Sequence, residues 1–260
     1  SAEKASALQS LGATPVIFDG ETLSDDCIAA LASCEHLIIS IAPGDDDPVL
    51  AAFAGRAKTL MPNLKWIGYL STVGVYGDHD GVWVDEETVC KPVSVRSHQR
   101  LTAENAWADL ADQLSVPLGV FRLSGIYGKG RNTFKNYEAG RARRLVKPGQ
   151  VFNRIFNTDI ATALHLAMER RANGLFNITD DEPAPPQDVV TFAAQIMGIE
   201  PPEEMDFATA DLTPMARSFY GENKRVSNAK AKDVLGWKPE FPNYRQSLEW
   251  LWTNGWQKEG

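Results

Sequence analysis

A chain of 260 residues, 43% hydrophobic and 23% charged, can bury a sizeable core and has neither a disordered nor a fibrous composition. Its 26 lysines and arginines against 34 aspartates and glutamates leave a formal charge of -8, which speaks against nucleic acid as a partner. Apolar runs such as 37–42 and 66–70 fall far short of the about 20 residues that span a bilayer, so no membrane association is expected. From the N-terminus, helical and strand patterns alternate, as in a parallel sheet covered by helices on both faces. Residues 1–12 place Ala5, Leu8 and Leu11 on one helical face and stop at Gly12, and TPVIFDG (14–20) reads as a short buried strand. A helix over 24–33 leads to the strand HLIISIAPG (36–44). Asp47-Pro48 then reads as an N-cap followed by proline at the first position of a helix over 49–61. The strand KWIGYLS (65–71) delivers Ser71 and Thr72 to its carboxyl end, where open α/β sheets bind ligands.

The pattern continues with a helix containing Arg96 to Ala111, the strand PLGVFRLSG (117–125) and a helix over 134–145. A short strand VFNRIFN (151–157), a helix over 158–170 and GLFNITD (174–180), the last strand of the main sheet, complete it. Pro183-Ala184-Pro185-Pro186 marks a change of regime, followed by a helix over 187–197, a break at Pro201-Pro202 and an irregular, aromatic-rich tail. This divides the chain into a dinucleotide-binding domain (1–130 and 155–182) and a smaller substrate-binding region (131–154 and 183–260). No GxGxxG-like turn occurs in the opening residues. The chain starts on what reads as the second helix of such a fold, so a central strand and a glycine-rich loop are expected upstream of Ser1, and without them two strand edges stay unpaired. Cys27, Cys34 and Cys90 lack metal-ligand or CxxC spacing and the four histidines are scattered, which predicts no metal site, no disulfide framework and a cytoplasmic protein.

Four landmarks occur in order: YLSTVGVYG (69–77), VFRLSGIYGKGR (120–131), NRIFNTDIATAL (153–164) and LFNITDDEP (175–183). With them the chain resembles an extended or atypical short-chain dehydrogenase/reductase of the NAD-dependent epimerase/dehydratase family. The resemblance implies a Rossmann-like, doubly wound parallel sheet with a smaller C-terminal substrate domain, NAD or NADP as cofactor, a small-molecule substrate and a homodimer as an assembly open to the chain. It places Thr72 at the family's hydroxyl residue beside the substrate, although a threonine there can equally cap a turn. Arg96 and Arg100 stand where the family carries Tyr-x-x-x-Lys, on one helix face, with Glu104 one turn further on and pairing with Arg100. A guanidinium with a pKa above about 12 is a poor proton donor, so Arg96 is read as a clamp on a carboxylate, phosphate or oxyanion, and Arg100 as a ribose ligand. The alternative for both arginines is a solvated helix face.

On the cofactor side the resemblance assigns Asp19 and Gly20 to the adenine, Ile41, Ala42 and Pro43 to the ribose and pyrophosphate, Leu123, Ser124 and Gly125 to the nicotinamide end, and Ser71 to the cofactor without naming a part of it. Tyr76 and Arg225 are its substrate residues. Asp85 and Glu86 read as exposed loop carboxylates, His98 as a surface histidine, and Arg141, Arg143, Arg144 and Lys147 as a solvated helix face. Two functions stay open: an NAD(P)-dependent oxidoreductase or epimerase/dehydratase acting on a small polar or anionic substrate, and a non-catalytic NAD(P)-sensing module.

Overall fold

The computed structural model describes residues 2–257. Its centre is a parallel sheet of four strands in spatial order β1 (His36–Ile39), β2 (Trp66–Thr72), β3 (Leu118–Leu123) and β4 (Gly174–Ile178). β3 is buried along its whole length, which is why LGVFRL reads as a nearly continuous apolar run rather than an alternating one. On one face Trp66, Phe121, Phe176 and Ile178 pack against the helix Asn157–Arg170 and Trp237. On the other, Ile67, Tyr69 and Val120 meet Phe53 and Trp107, the latter from the 20-residue helix Val95–Leu114. A Cβ on Gly68 would stand 2.5 Å from the Trp66 ring, so the missing side chain is what lets the indole lie along the sheet and donate to the carbonyl of Ala172 at 2.9 Å.

A third apolar cluster, with Phe134, Phe156, Phe241, Tyr244 and Leu248, holds together the helices Pro186–Met197 and Tyr244–Asn254. Short parallel ribbons, Gly125–Tyr127 with Arg154–Phe156 and Arg144–Val146 with Glu204–Asp206, complete this smaller region. The doubly wound parallel architecture expected from the sequence is therefore the one observed.

Local features differ from expectation in three places. Residues 14–20 form no strand, and Ile17 is 60% exposed. Strand geometry needs a partner, none of the described residues supplies one there, and the outer edge of β1 is likewise unpaired with Ile38 exposed. The helix expected over 49–61 is interrupted by Ala54 and Gly55, both at positive φ, leaving Pro48–Phe53 and Ala57–Leu60. The helix expected over 134–145 is the short helix Thr133–Glu138, after which Arg144–Val146 is a strand. The Asp47 cap is as read: one carboxylate oxygen accepts from Val49 N and Leu50 N, and the other from the Trp107 indole at 3.0 Å.

Candidate active site

A cavity of about 1150 Å³ opens at the carboxyl ends of β2 and β3. Its walls are the turn after Thr72, the first turn of the helix Val95–Leu114, the stretch 123–127, the segment 130–141 and the tail around 218–224. Seven basic side chains line it (Arg96, Arg100, Arg131, Lys135, Arg141, Arg154 and Lys224) against a single carboxylate, Glu222. In a chain of net charge -8, that segregation makes the cavity an attractor for anions.

Thr72 leaves the sheet in an extended conformation, and its Oγ1 accepts a bond from Gly74 N at 3.1 Å. The hydroxyl therefore caps the turn as a lone-pair acceptor while its own hydrogen remains to donate into the cavity. Ser94 caps the long helix, accepting from Ser97 N at 3.1 Å, and its hydroxyl shares a 2.8 Å bond with that of Ser97. This aims the first turn at the cavity, with Arg96 exposed and without a hydrogen-bond or ion-pair partner among the described residues. Arg100, on the same face, is half-buried. Its Nη1 donates to the Leu70 carbonyl at 2.5 Å and to the Tyr69 hydroxyl at 3.3 Å, with the guanidinium 5.8 Å from the Tyr69 ring centre.

Glu104 does not pair with Arg100. It accepts from Arg122 Nη2 at 2.7 Å and Nε at 3.2 Å, and from the Ser71 hydroxyl. Arg122 and Ser71 are register partners on β3 and β2, and a buried guanidinium requires the carboxylate more than a half-exposed one does. Ser71 is thereby turned into the protein and is not a wall residue. Tyr76 is also displaced from its expected role. Its ring is fully buried beneath the Arg122 guanidinium at 4.8 Å, its hydroxyl donates to Asn177 Oδ1 at 2.8 Å, and burial pushes its pKa up to about 12. It neither lines the cavity nor serves as an acid there. Glu86 is no exposed loop carboxylate either: it is buried, accepts from Asn177 N at 2.7 Å and has its pKa raised by that burial.

Arg225 points to the Gly81 carbonyl from a two-residue strand paired with Trp83–Val84, away from the cavity. Its neighbour Lys224 lines the wall instead, because adjacent residues of an extended segment face opposite sides. Arg154 was unmarked except as part of a landmark. It is half-buried on the wall with Nη1 donating to the carbonyls of Phe152 (2.9 Å) and Ala184 (3.1 Å). Arg131 and Arg141 lie on the same wall; Arg141 is solvent-exposed as expected, but in the loop after the helix Thr133–Glu138 and beside the cavity rather than on a helix face. Near Arg154 sits Asp180, whose carboxyl burial pushes up to about 8 and whose Oδ2 has no hydrogen-bond partner among the described residues.

Of the cofactor residues expected from the sequence, Leu123, Ser124, Gly125 and Arg100 stand together on the wall. A Cβ on Gly125 would come within 3.1 Å of the Asn153 carbonyl, so the missing side chain lets the two strands of this ribbon approach closely beneath the wall. Asp19, Gly20, Ile41, Ala42 and Pro43 do not reach this wall. The Asp19 carboxylate instead accepts from Thr22 N and Glu21 N at 2.8 and 2.9 Å, bonds that lower its pKa, and Ile41 and Ala42 are exposed beyond β1. The residues present thus fit the nicotinamide end of a dinucleotide. Among the described residues no cluster of three or more histidine, cysteine or acidic side chains could hold a metal, and no helix is long and apolar enough to cross a membrane.

No family model matches the chain. A conserved protein of unknown function from Silicibacter pomeroyi has a solved structure that superposes with a TM-score of 0.87 at 46% identity, covering 98% of this chain and 87% of that one. The dTDP-glucose 4,6-dehydratase of Bacillus anthracis, crystallised with NAD, superposes with a TM-score of 0.74 at 17% identity, covering 99% and 86%. A 3-diazoavenalumate denitrifying reductase from Streptomyces is 28% identical over 211 residues, 76% of this chain and 66% of the reductase. The chain thus spans just under two thirds of that curated relative's length.

Proposed function

Because this chain belongs to the family of the Silicibacter pomeroyi protein and has the fold of the extended short-chain dehydrogenases/reductases of the NAD-dependent epimerase/dehydratase type, we propose that it is an NAD(P)-dependent oxidoreductase or epimerase acting on a small anionic substrate. The observation that carries this reading is the cavity wall of seven cations and one carboxylate at the carboxyl ends of β2 and β3. The Streptomyces reductase and the NAD-bound dehydratase support the redox class. Either NAD or NADP would supply hydride transfer at the nicotinamide, held by Leu123, Ser124, Gly125 and Arg100.

The chain's own residues divide the remaining work. Thr72 donates its free hydroxyl hydrogen to the reacting oxygen. Arg96, its guanidinium unpaired among the described residues at the start of the long helix, holds the substrate's anionic group or a charge that develops beside it. Arg131 and Arg141 face the same space and set a preference for anions over neutral substrates. The proton falls to none of these, since an arginine stays charged throughout.

Calorimetry of the full chain with NAD and NADP, followed by titration with sulfate as an anion probe, tests the reading. Arg96→Ala is expected to weaken sulfate binding by about tenfold, equivalent to ~1.4 kcal/mol, with an unchanged melting temperature. Equal sulfate affinity in the variant removes Arg96 from the site. Dinucleotide binding with no turnover of any carbonyl or diazo acceptor would favour the second reading, a non-catalytic NAD(P) sensor, for which the burial of Tyr76 and the arginine at position 96 are the supporting features.

A further inference from the structure

We infer that Glu222 is the proton-exchanging residue of this cavity, taking the place of the tyrosine that the chain lacks; the inference rests on the cavity being an anion-holding site. The ionisable side chains on the wall are the seven lysines and arginines, Tyr127, Tyr244 and Glu222. The guanidiniums do not release protons, burial pushes both phenols up, and the Tyr127 hydroxyl already shares a 2.6 Å bond with Ser247 Oγ. Lys224 is already committed to the Gly77 carbonyl and to Glu222. Among the wall groups, the one carboxylate is what remains to take a proton from a substrate hydroxyl.

The position of Glu222 is fixed from several sides. Its carbonyl accepts from Gln150 Nε2 at 2.8 Å. The next residue, Asn223, takes the amides of His79 and Gly81 on its carbonyl, both at 3.0 Å. Its own N donates to Asp78 Oδ1 at 2.7 Å, and its side chain spans Gly149 O (3.0 Å) and Val151 N (3.2 Å). Lys224, only 5% exposed, donates to the Gly77 carbonyl at 2.7 Å and to Glu222 Oε2 at 2.5 Å. One carboxylate oxygen is therefore clamped, while Oε1 has no protein partner among the described residues and belongs to a side chain on the cavity wall. Gly77 closes the turn that Thr72 begins, so the clamp ties Glu222 to the same end of β2.

The step is a single proton transfer. The O–H bond of a substrate hydroxyl breaks, a bond forms between that hydrogen and Glu222 Oε1, and the electron pair stays on the substrate oxygen, whose charge the surrounding guanidiniums offset. No electrons enter or leave the protein, and the reverse transfer restores the carboxylate against Lys224.

Proton uptake measured by calorimetry tests this. Sulfate, which does not itself titrate in mildly acidic buffers, is bound in two buffers of different ionisation enthalpy. An anion held near the free oxygen of Glu222 raises that group's proton affinity, so the native protein is expected to take up a fraction of a proton per sulfate bound. Glu222→Gln should bind sulfate with that uptake lost, and Glu222→Asp should retain part of it. A purely structural Glu222 would lower the melting temperature of Glu222→Gln without abolishing uptake. Uptake that persists in Glu222→Gln, or none in the native protein while sulfate binds, overturns the assignment. Failure of the native protein to bind sulfate at all overturns the anion-holding reading instead, and the assignment with it.

Discussion

At the scale of single residues, the buried carboxyl of Asp180 gives the clearest pH signature. An unfolded aspartate titrates near about 4, whereas burial holds this one at about 8 in the folded protein. Between those values the folded state keeps a proton that the unfolded chain releases, so this group lowers stability progressively as pH rises through that window. Asp180→Asn removes the penalty. Its stability relative to the native protein, measured by urea unfolding, is expected to improve steadily from mildly acidic to mildly alkaline pH; a difference that is constant across the range would show that Asp180 is ionised in the fold. The same scale shows why some site residues were legible in the sequence and others were not. Thr72, Arg96, Arg100 and Leu123–Gly125 reach the cavity because strand ends and helix faces follow from local pattern. Tyr76, Ser71 and Arg225 do not, because their orientation is decided by distant partners: Asn177, Glu104 and Gly81. Glu222 carried no local signal, as an acid two residues before a lysine in a tail is indistinguishable from half of a solvated pair until the tail is folded back onto Gly77.

At the scale of elements, caps and periodicity were readable and pairing was not. Asp47-Pro48 specifies its own helix start through bonds within three residues, whereas 14–20 has strand composition but no neighbour to complete it among the described residues. Turns separate in the same way, as two glycines show. Gly77 has φ 72° and ψ -147°, and an added Cβ would stand 1.8 Å from the Lys91 carbonyl oxygen. Gly149 has φ +76° with open space around it. Gly77→Ala is expected to cost about 3 kcal/mol or more, because both backbone strain and a main-chain collision must be relieved, and the shift would also disturb the carbonyl that holds Lys224. Gly149→Ala should cost only about 1 kcal/mol, the strain alone. Denaturant midpoints of the two variants decide it, and equal losses would mean that the 77–91 loop yields freely.

For the whole molecule, the decisive property is the separation of charge between exterior and cavity. The net charge of -8 lies on a chain whose cavity wall holds seven cations and one carboxylate, so the surface repels polyanions while the cavity draws in small ones. The guanidiniums of Arg96, Arg131 and Arg141 have no hydrogen-bond or ion-pair partners among the described residues, so their charge is not cancelled locally and the attraction acts through solvent at the cavity mouth. Attraction of that kind is screened over a Debye length of about 8 Å at physiological ionic strength and over about 30 Å in dilute buffer. Sulfate affinity is therefore expected to fall roughly tenfold between dilute and physiological sodium chloride, and less steeply in Arg131→Ala or Arg141→Ala, since each removes one unscreened charge. A neutral sugar should show no such dependence, and a DNA duplex should not bind at either salt concentration, because it is too wide to enter and meets only the acidic exterior. Sulfate binding that is indifferent to salt would mean that the guanidiniums are neutralised by groups within the wall, leaving shape rather than charge to select the substrate.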